Sequence, residues 1–346
     1  METIRRILLT GASGTVGQEV LNQLTQKPST EITVFDIANS RSKKLFEKYG
    51  ERIRVIYGDI SNQEEVAQIP EAFDTVIHLA AIIPPLADQF PELTRKVNVS
   101  GTKHLVEHIQ KTSPNAFFLY SSSVSVYGDR VETPFIHVND SLKISEGDVY
   151  GQTKLDAETI VRSSSIDWSV FRLAAIMKNH KISKLMFHMP LDTMLEICTP
   201  EDTATAFVKA TDARSLLKGK IFNLGGGEKC CISYRNFLER SFHVFGLGRL
   251  NFPAHAFAEK NFHCGMMADG SVLEDLLHFR HDDIEIYFRR TGKTVSPVLK
   301  ILAIVFRPLV KWYLLLQSEP YKAHMTKNAK QIRHFFKSPG MPAYKL

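Results

Sequence analysis

Cysteine is scarce in this chain, with four among 346 residues. Cys198, Cys230, Cys231 and Cys264 lack the spacing of a metal site, and the adjacent pair is poorly placed to form a bridge. Neither a disulfide framework nor a zinc module is therefore expected; a reducing compartment with buried, unreactive thiols fits better. A strong excess of one charge is also missing. The net charge is +6 and basic residues are dispersed until the C-terminal quarter, so charge alone does not suggest nucleic-acid binding. No apolar stretch is long enough to cross a bilayer, because residues 298–317 are interrupted by Lys300, Arg307, Pro308 and Lys311. The first apolar run begins within a few residues of Met1, so no leader peptide is expected. These absences point to a cytoplasmic globular protein, large enough for one sizeable domain or two interlocked ones.

What is present is concentrated at the start. Ile7, Leu8 and Leu9 form a short apolar run, as in a strand buried on both faces of a parallel sheet. Thr10-Gly11-Ala12-Ser13-Gly14-Thr15-Val16-Gly17 follows, with a glycine at every third position. Such a loop makes a tight strand-to-helix turn and lets a diphosphate approach main-chain N–H groups. Val16, Val20, Leu21 and Leu24 have helical spacing, and the helix they predict turns its positive end toward that phosphate. Ile32-Thr33-Val34-Phe35 is a second strand with Asp36 at its end. A carboxylate there accepts hydrogen bonds from both ribose hydroxyls and repels a 2′-phosphate, which favours NAD over NADP.

Further along, a polar helix over 39–49 leads to a strand at 53–57 and then Gly58-Asp59-Ile60, with a helix-capping signal at Ser61 and Glu64. A fourth strand, 75–79, holds His78 as a packed residue; its end, Leu79-Ala80-Ala81, is small enough for close approach of a cofactor. Residues 82–90, with Pro84 and Pro85, read as a loop over the site. Asn98-Val99-Ser100-Gly101-Thr102 lies in the next helix. A buried strand at 117–120 ends in Ser121-Ser122-Ser123, where ligands of open α/β sheets collect. Tyr150 and Lys154, four residues apart, share a helix face. A phenol of pKa ~10 is a weak base at neutral pH, and a nearby ammonium favours its phenolate.

In this order the segments resemble the extended short-chain dehydrogenase/reductases of the NAD-dependent epimerase/dehydratase type, over roughly residues 4–228. The later runs Trp168 to Leu173, Glu201 to Ala206 and Ile221 to Gly227 are similar to that family's final landmarks. The resemblance implies a doubly wound parallel (Rossmann) α/β sheet with a smaller C-terminal substrate lobe. The units would be 1–177 with 201–228, and 178–200 with 229–346. It implies NAD held by Gly11, Ser13, Gly14, Thr15, Val16, Gly17, Asp36, Asp59, Ile60, Leu79, Ala80, Ala81 and Asn98, together with Tyr150 and Lys154. Within that set Asp59 would meet the adenine amino group, and Asn98 would be largely structural. Ser123 would bond the reacting oxygen and Tyr150 would serve as general acid/base. Lys154 would bind the nicotinamide ribose and lower the tyrosine's pKa, while Ser121 and Ser122 complete the turn. Homodimerisation through a helix pair is typical of the resemblance.

The chain departs from the pattern after Arg172. Leu173 to His180 lack the asparagine and the glycine-proline turn that help seat a nucleotide sugar in many family members. The expected function is therefore an NAD(H)-dependent oxidoreductase acting on a secondary alcohol or ketone of a bulky or hydrophobic small molecule. The alternatives are a nucleotide-sugar epimerase or dehydratase with tightly bound NAD, and a non-catalytic dinucleotide-sensing regulator, against which the Tyr150–Lys154 pair stands. Residues 261–280 mix His263, Cys264, Met266, Met267 and Asp269 at spacings wrong for zinc, so no metal is expected. Residues 298–316 fit either a packed helix, in the lobe or at a dimer interface, or a peripheral membrane helix. In the second case Lys322, Lys327, Lys330, Arg333 and Lys337 would add attraction to an anionic surface. The packed reading is favoured.

Overall fold

A computed structural model describes residues 4–337; 1–3 and 338–346, the ends of the two expected units, lie outside the described residues. Seven strands form one sheet: β1 (Arg5–Thr10), β2 (Thr30–Asp36), β3 (Arg54–Tyr57), β4 (Thr75–His78), β5 (Phe117–Ser123), β6 (Asp167–Leu173) and β7 (Lys220–Leu224). Their order is β3-β2-β1-β4-β5-β6-β7 and every pairing is parallel. The direction of winding reverses between β1 and β4, which opens a crevice at the C-terminal strand ends.

The connecting helices include α1 (Thr15–Leu24), α2 (Thr102–Thr112), α3 (Val149–Arg162) and α4 (Pro200–Ala210). Alternate strand residues feed two cores. Ile7, Leu9, Val34, Ile77 and Leu119 pack with Val20, Leu21 and Leu24 of α1 and Phe207 of α4. Leu8, Phe35, Val76, Phe118 and Val170 pack with Leu105 and Ile109 of α2 and Val161 of α3. Burial on both faces is why these strands read as continuous apolar runs. Each such side chain contributes on the order of 1.5–3 kcal/mol by leaving water. Leu273, Leu277 and Phe279 also join the first core, although they lie in the span assigned from sequence to the smaller unit.

Two local expectations are corrected. The capping residue after β3 is Asn62, whose side chain accepts from Glu64 N, because Ser61 N is taken by the Asp59 carboxylate at 2.8 Å. The serine run is not a turn but the last part of β5, paired with residues 171–173 of β6. Polar side chains can continue a buried strand when each finds a partner: Ser121 Oγ donates to His78 O, and Ser122 Oγ to Glu158.

The smaller lobe carries a three-stranded sheet of Ala175–Ile176, Met194–Cys198 and Cys231–Ser233. Against it lie α5 (Tyr234–Val244) and α6 (Ile284–Thr294), around a core that includes Phe187, Phe237, Phe242, Tyr287 and Phe288. Residues 298–317 form not one helix but two, α7 (Pro297–Val305) and α8 (Arg307–Leu315). The break falls at Arg307 and Pro308, since proline is tolerated in a first turn but not in a helix interior. Of the two helices only Leu314 is buried, with Ala303, Val310 and Leu315 packed beside it against the lobe core.

Candidate active site

The glycine loop is shaped by contact. Gly11 has φ +70°, and a Cβ there would come within 2.6 Å of Ala80 N; a Cβ on Gly17 would meet Gly11 O at 2.1 Å. Gly14 caps α1 from extended backbone with no side-chain hydrogen bond, and the first turn contains no acidic residue. Gly14 N donates back to Gly11 O at 3.1 Å, so it is exposed Thr15 and half-buried Val16 that present main-chain amides and the positive helix end at the crevice.

Asp36, 6% exposed, ends β2 beside this loop. It accepts from Ser13 N at 2.7 Å, Ser13 Oγ at 2.9 Å and Ile37 N at 2.8 Å. Burial raises its pKa and these three donors pull the other way. Ser13 therefore turns inward to hold Asp36. Asp59 is half-buried, and Ile60 packs its side chain in the second core. Leu79, Ala80 and Ala81 are half-buried along the chain that leaves β4.

Asn98, 1% exposed, receives Ile82 N at 2.8 Å and donates to Ile82 O at 3.0 Å and Thr153 Oγ1 at 3.0 Å. Its amide is spent on fixing the post-β4 loop to α3. His78 is fully buried between Thr10 Oγ1 at 2.7 Å and Thr102 Oγ1 at 2.9 Å. Thr102 donates to Asn98 O at 2.6 Å, so it receives the His78 Nε2 proton, and Thr10 donates to Nδ1. Burial, with the Lys154 charge second, pushes His78 down to about 3, so the ring is a neutral strut.

Ser123, Tyr150 and Lys154 converge at the end of β5. Ser123 Oγ accepts from Ser125 N at 3.2 Å and lies near enough to the Tyr150 phenol to oppose the effect of burial on it. Lys154 is 3% exposed, its Nζ donating to Ser121 O at 2.7 Å and standing 5.8 Å from the Tyr150 ring centroid. The expected lowering of the Tyr150 pKa is not what this arrangement gives. Burial raises the phenol, opposed by Ser123 and reinforced by Asp148. Burial likewise brings Lys154 down to about 7 against the pull of Glu158. The reason is desolvation of both groups, which outweighs their proximity.

The sequence reading missed Glu158, which is fully buried one turn beyond Lys154. Arg172, 2% exposed, grips it with Nε at 3.0 Å and Nη2 at 2.8 Å. Arg172 Nη1 also donates to Tyr127 OH at 2.8 Å and Val138 O at 3.0 Å, and Tyr127 donates to Asn223 at 2.7 Å. This network ties α3 to β5, β6 and β7. The signal available in sequence was the spacing Tyr150, Lys154, Glu158, three successive turns of one helix face.

Over this end of α3 sits a short helix, Leu86–Gln89, packed against it. His263 Nδ1 lies 3.0 Å from Asp148 Oδ2, bringing the C-terminal segment to the start of α3. A groove of about 570 Å³ lies at the opposite ends of the strands, lined by Arg6, Thr30 and Arg54, away from these residues.

The profile of the NAD dependent epimerase/dehydratase family matches residues 7–181, just over half the chain. The D-erythronate dehydrogenase of Haemophilus influenzae is 25% identical over 179 residues, covering 49% of this chain and 55% of its own. The 3-beta-hydroxysteroid dehydrogenase of Mycolicibacterium neoaurum is 29% identical over 163 residues, 45% of this chain and 42% of its own. The chain thus spans about half the length of these curated relatives. Among solved structures, UDP-glucuronic acid 4-epimerase from Bacillus cereus in complex with UDP-glucuronic acid and NAD shares the fold. Its TM-score is 0.68 at 19% identity, with 86% of this chain and 99% of that chain covered. The cradle that a Cβ would fill, the amide-lined start of α1 and the carboxylate of Asp36 fit a dinucleotide. The matched span runs from the glycine loop through Tyr150 and Lys154: the chain belongs to the NAD dependent epimerase/dehydratase family, and its cofactor is NAD.

Proposed function

We propose that the protein is an NAD(H)-dependent oxidoreductase that interconverts a secondary alcohol and its ketone on a bulky, hydrophobic small molecule. The observation that carries this reading is the grouping of Ser123, near Tyr150, with Lys154 one turn along α3, at the C-terminal end of β5. Amides of residues 15–17 would hold the diphosphate, Asp36 the adenosine ribose, and the backbone of 79–81 would pass close to the rest. Bound NAD supplies a hydride acceptor, or in its reduced form a donor.

This chain's residues handle the oxygen and its proton. Ser123 Oγ and Tyr150 OH hold the reacting oxygen from two sides. Burial keeps the Tyr150 phenol protonated at neutral pH, so it donates to an oxygen gaining negative charge and recovers the proton in the reverse direction. Lys154, titrating at about 7, can keep or release a proton there, and when charged it stabilises the phenolate. The substrate class rests on Ile83, Leu86 and Phe90, large apolar side chains exposed on the segment that follows Ala81. After Arg172 the chain enters the strand Ala175–Ile176 without a glycine-proline turn, which weighs against a nucleotide sugar.

Tyr150→Phe tests the assignment against a panel of hydrophobic secondary alcohols and ketones. Turnover should fall by about 10²–10⁴-fold, the usual worth of a general acid/base, with NADH binding nearly intact. Unchanged turnover would remove Tyr150 from the mechanism. Nucleotide released on denaturing fresh protein separates net redox chemistry from a closed cycle. Near-stoichiometric NAD that survives dialysis would favour an epimerase or dehydratase.

A further inference from the structure

The two helices α7 and α8 leave an unusual surface in solvent. Eleven large apolar residues between Val298 and Leu316 are 46–65% exposed, and none of the nine residues of α7 is buried. Isolated exposed leucines are ordinary, but a contiguous array of this size marks an interaction surface. At about 100° per residue, the exposed apolar side chains of α7, from Ile304 round to Leu299, sweep about 220° of its circumference. Ala303, Val310, Leu314 and Leu315 pack into the lobe core, and Lys300 and Ile304 lie beside Gly246.

Charge identifies the occupant. No Asp or Glu occurs from 286 to 318, whereas Arg289, Arg290, Lys293, Lys300, Arg307 and Lys311 do. Arg307 and Lys311 anchor the pair to the lobe by donating to Gly246 O and Arg249 O. Lys293 and Lys300 have no acidic partner among the described residues. We propose that α7 and α8 dock the protein on an anionic lipid bilayer, their apolar side chains entering the interfacial layer and the lysines meeting phosphates. Nine-residue helices, each about 14 Å long, reach only halfway through a core of about 30 Å, and no described helix is long and apolar enough to cross a membrane. The pair therefore lies in the interface. A second copy is a poorer occupant. A twofold contact would bring together two helix pairs that carry lysines and no carboxylate of their own, and a flat protein partner covers at most about half of a helix's circumference.

The full chain, with Trp168→Phe so that Trp312 is the sole indole, is mixed with vesicles of phosphatidylcholine alone or with one part in three phosphatidylglycerol. Docking predicts co-sedimentation with the anionic vesicles, a blue shift and bromolipid quenching of Trp312, and about tenfold or more weaker binding to phosphatidylcholine alone or in high salt. Ile301→Asp with Leu309→Asp should weaken partitioning by roughly a hundredfold, each buried aliphatic side chain being worth on the order of tenfold. Both side chains are about 60% exposed, so circular dichroism and NADH binding should not change. Vesicle binding that is absent, or equal in the double variant, overturns the proposal. So does a lipid-free dimer, seen by sedimentation equilibrium, that the double variant dissociates while the parent ignores vesicles.

Discussion

Lys154→Met would convert the burial of one ammonium into a measurable slope. The methionine keeps an unbranched apolar stem in a position 3% exposed. Burial has lowered Lys154 to about 7 from 10.5, even with Glu158 pulling the other way. In the unfolded chain the amine keeps its proton up to about pH 10.4. Between these values the unfolded state binds more protons, so wild-type stability rises with pH, by up to about 1.4 kcal/mol per unit. From pH 7 to pH 9.5 that amounts to about 3 kcal/mol, a rise the variant lacks; groups that do not feel the Lys154 charge titrate alike in both proteins and cancel. Loss of the bond to Ser121 O costs the variant about 1 kcal/mol throughout. Lys154→Met should thus be more stable near pH 7 by about 3 kcal/mol, with the advantage vanishing toward pH 9.5, although its turnover is lost. Urea unfolding of cofactor-free protein at several pH values measures this. A difference that stays constant across the range would show that the ammonium is not desolvated and would refute the reasoning.

Two further perturbations probe the loop and the locked helix. Asp36→Ser removes the buried carboxylate at the end of β2, and NADPH affinity relative to NADH should rise by about tenfold or more, measured by nucleotide fluorescence. An unchanged ratio would mean that Asp36 does not face the ribose. Arg172→Met strands the Glu158 carboxylate and should cost about 3–5 kcal/mol in urea unfolding, with Glu158→Gln in the same background recovering at least about 1 kcal/mol of coupling. A loss under about 1 kcal/mol would show that the network is not a tie between α3 and β6.

Much of the nucleotide half was legible because its signals are local. A glycine at every third position, an acid ending the next apolar run, and Tyr150 one turn from Lys154 need no knowledge of distant contacts. The serines of β5 were misread as a turn because their strand partners, Phe171 to Leu173, and the acceptor Glu158 lie far along the chain. The burial that opposes the expected lowering of the Tyr150 pKa was not legible for a related reason. Sequence supplies the neighbouring charge, but desolvation is a property of the packed site, and here it dominates. Residues 298–316 were ambiguous in principle, since the same apolar side chains serve a core or an exposed face. Their exposure on the folded chain is a property of the packing, and composition does not contain it.

The entry of Leu273, Leu277 and Phe279 into the core beneath α1 and α4 has a consequence for biosynthesis. When β7 has left the ribosome, every strand of the sheet is available, yet one apolar seam still waits for a segment not yet made. The nascent chain therefore passes through a stage with complete strand pairing and an uncovered flank, a natural target for a holding chaperone. For the same reason a fragment cut after residue 228 would be a sticky intermediate frozen in place rather than a free-standing nucleotide-binding module.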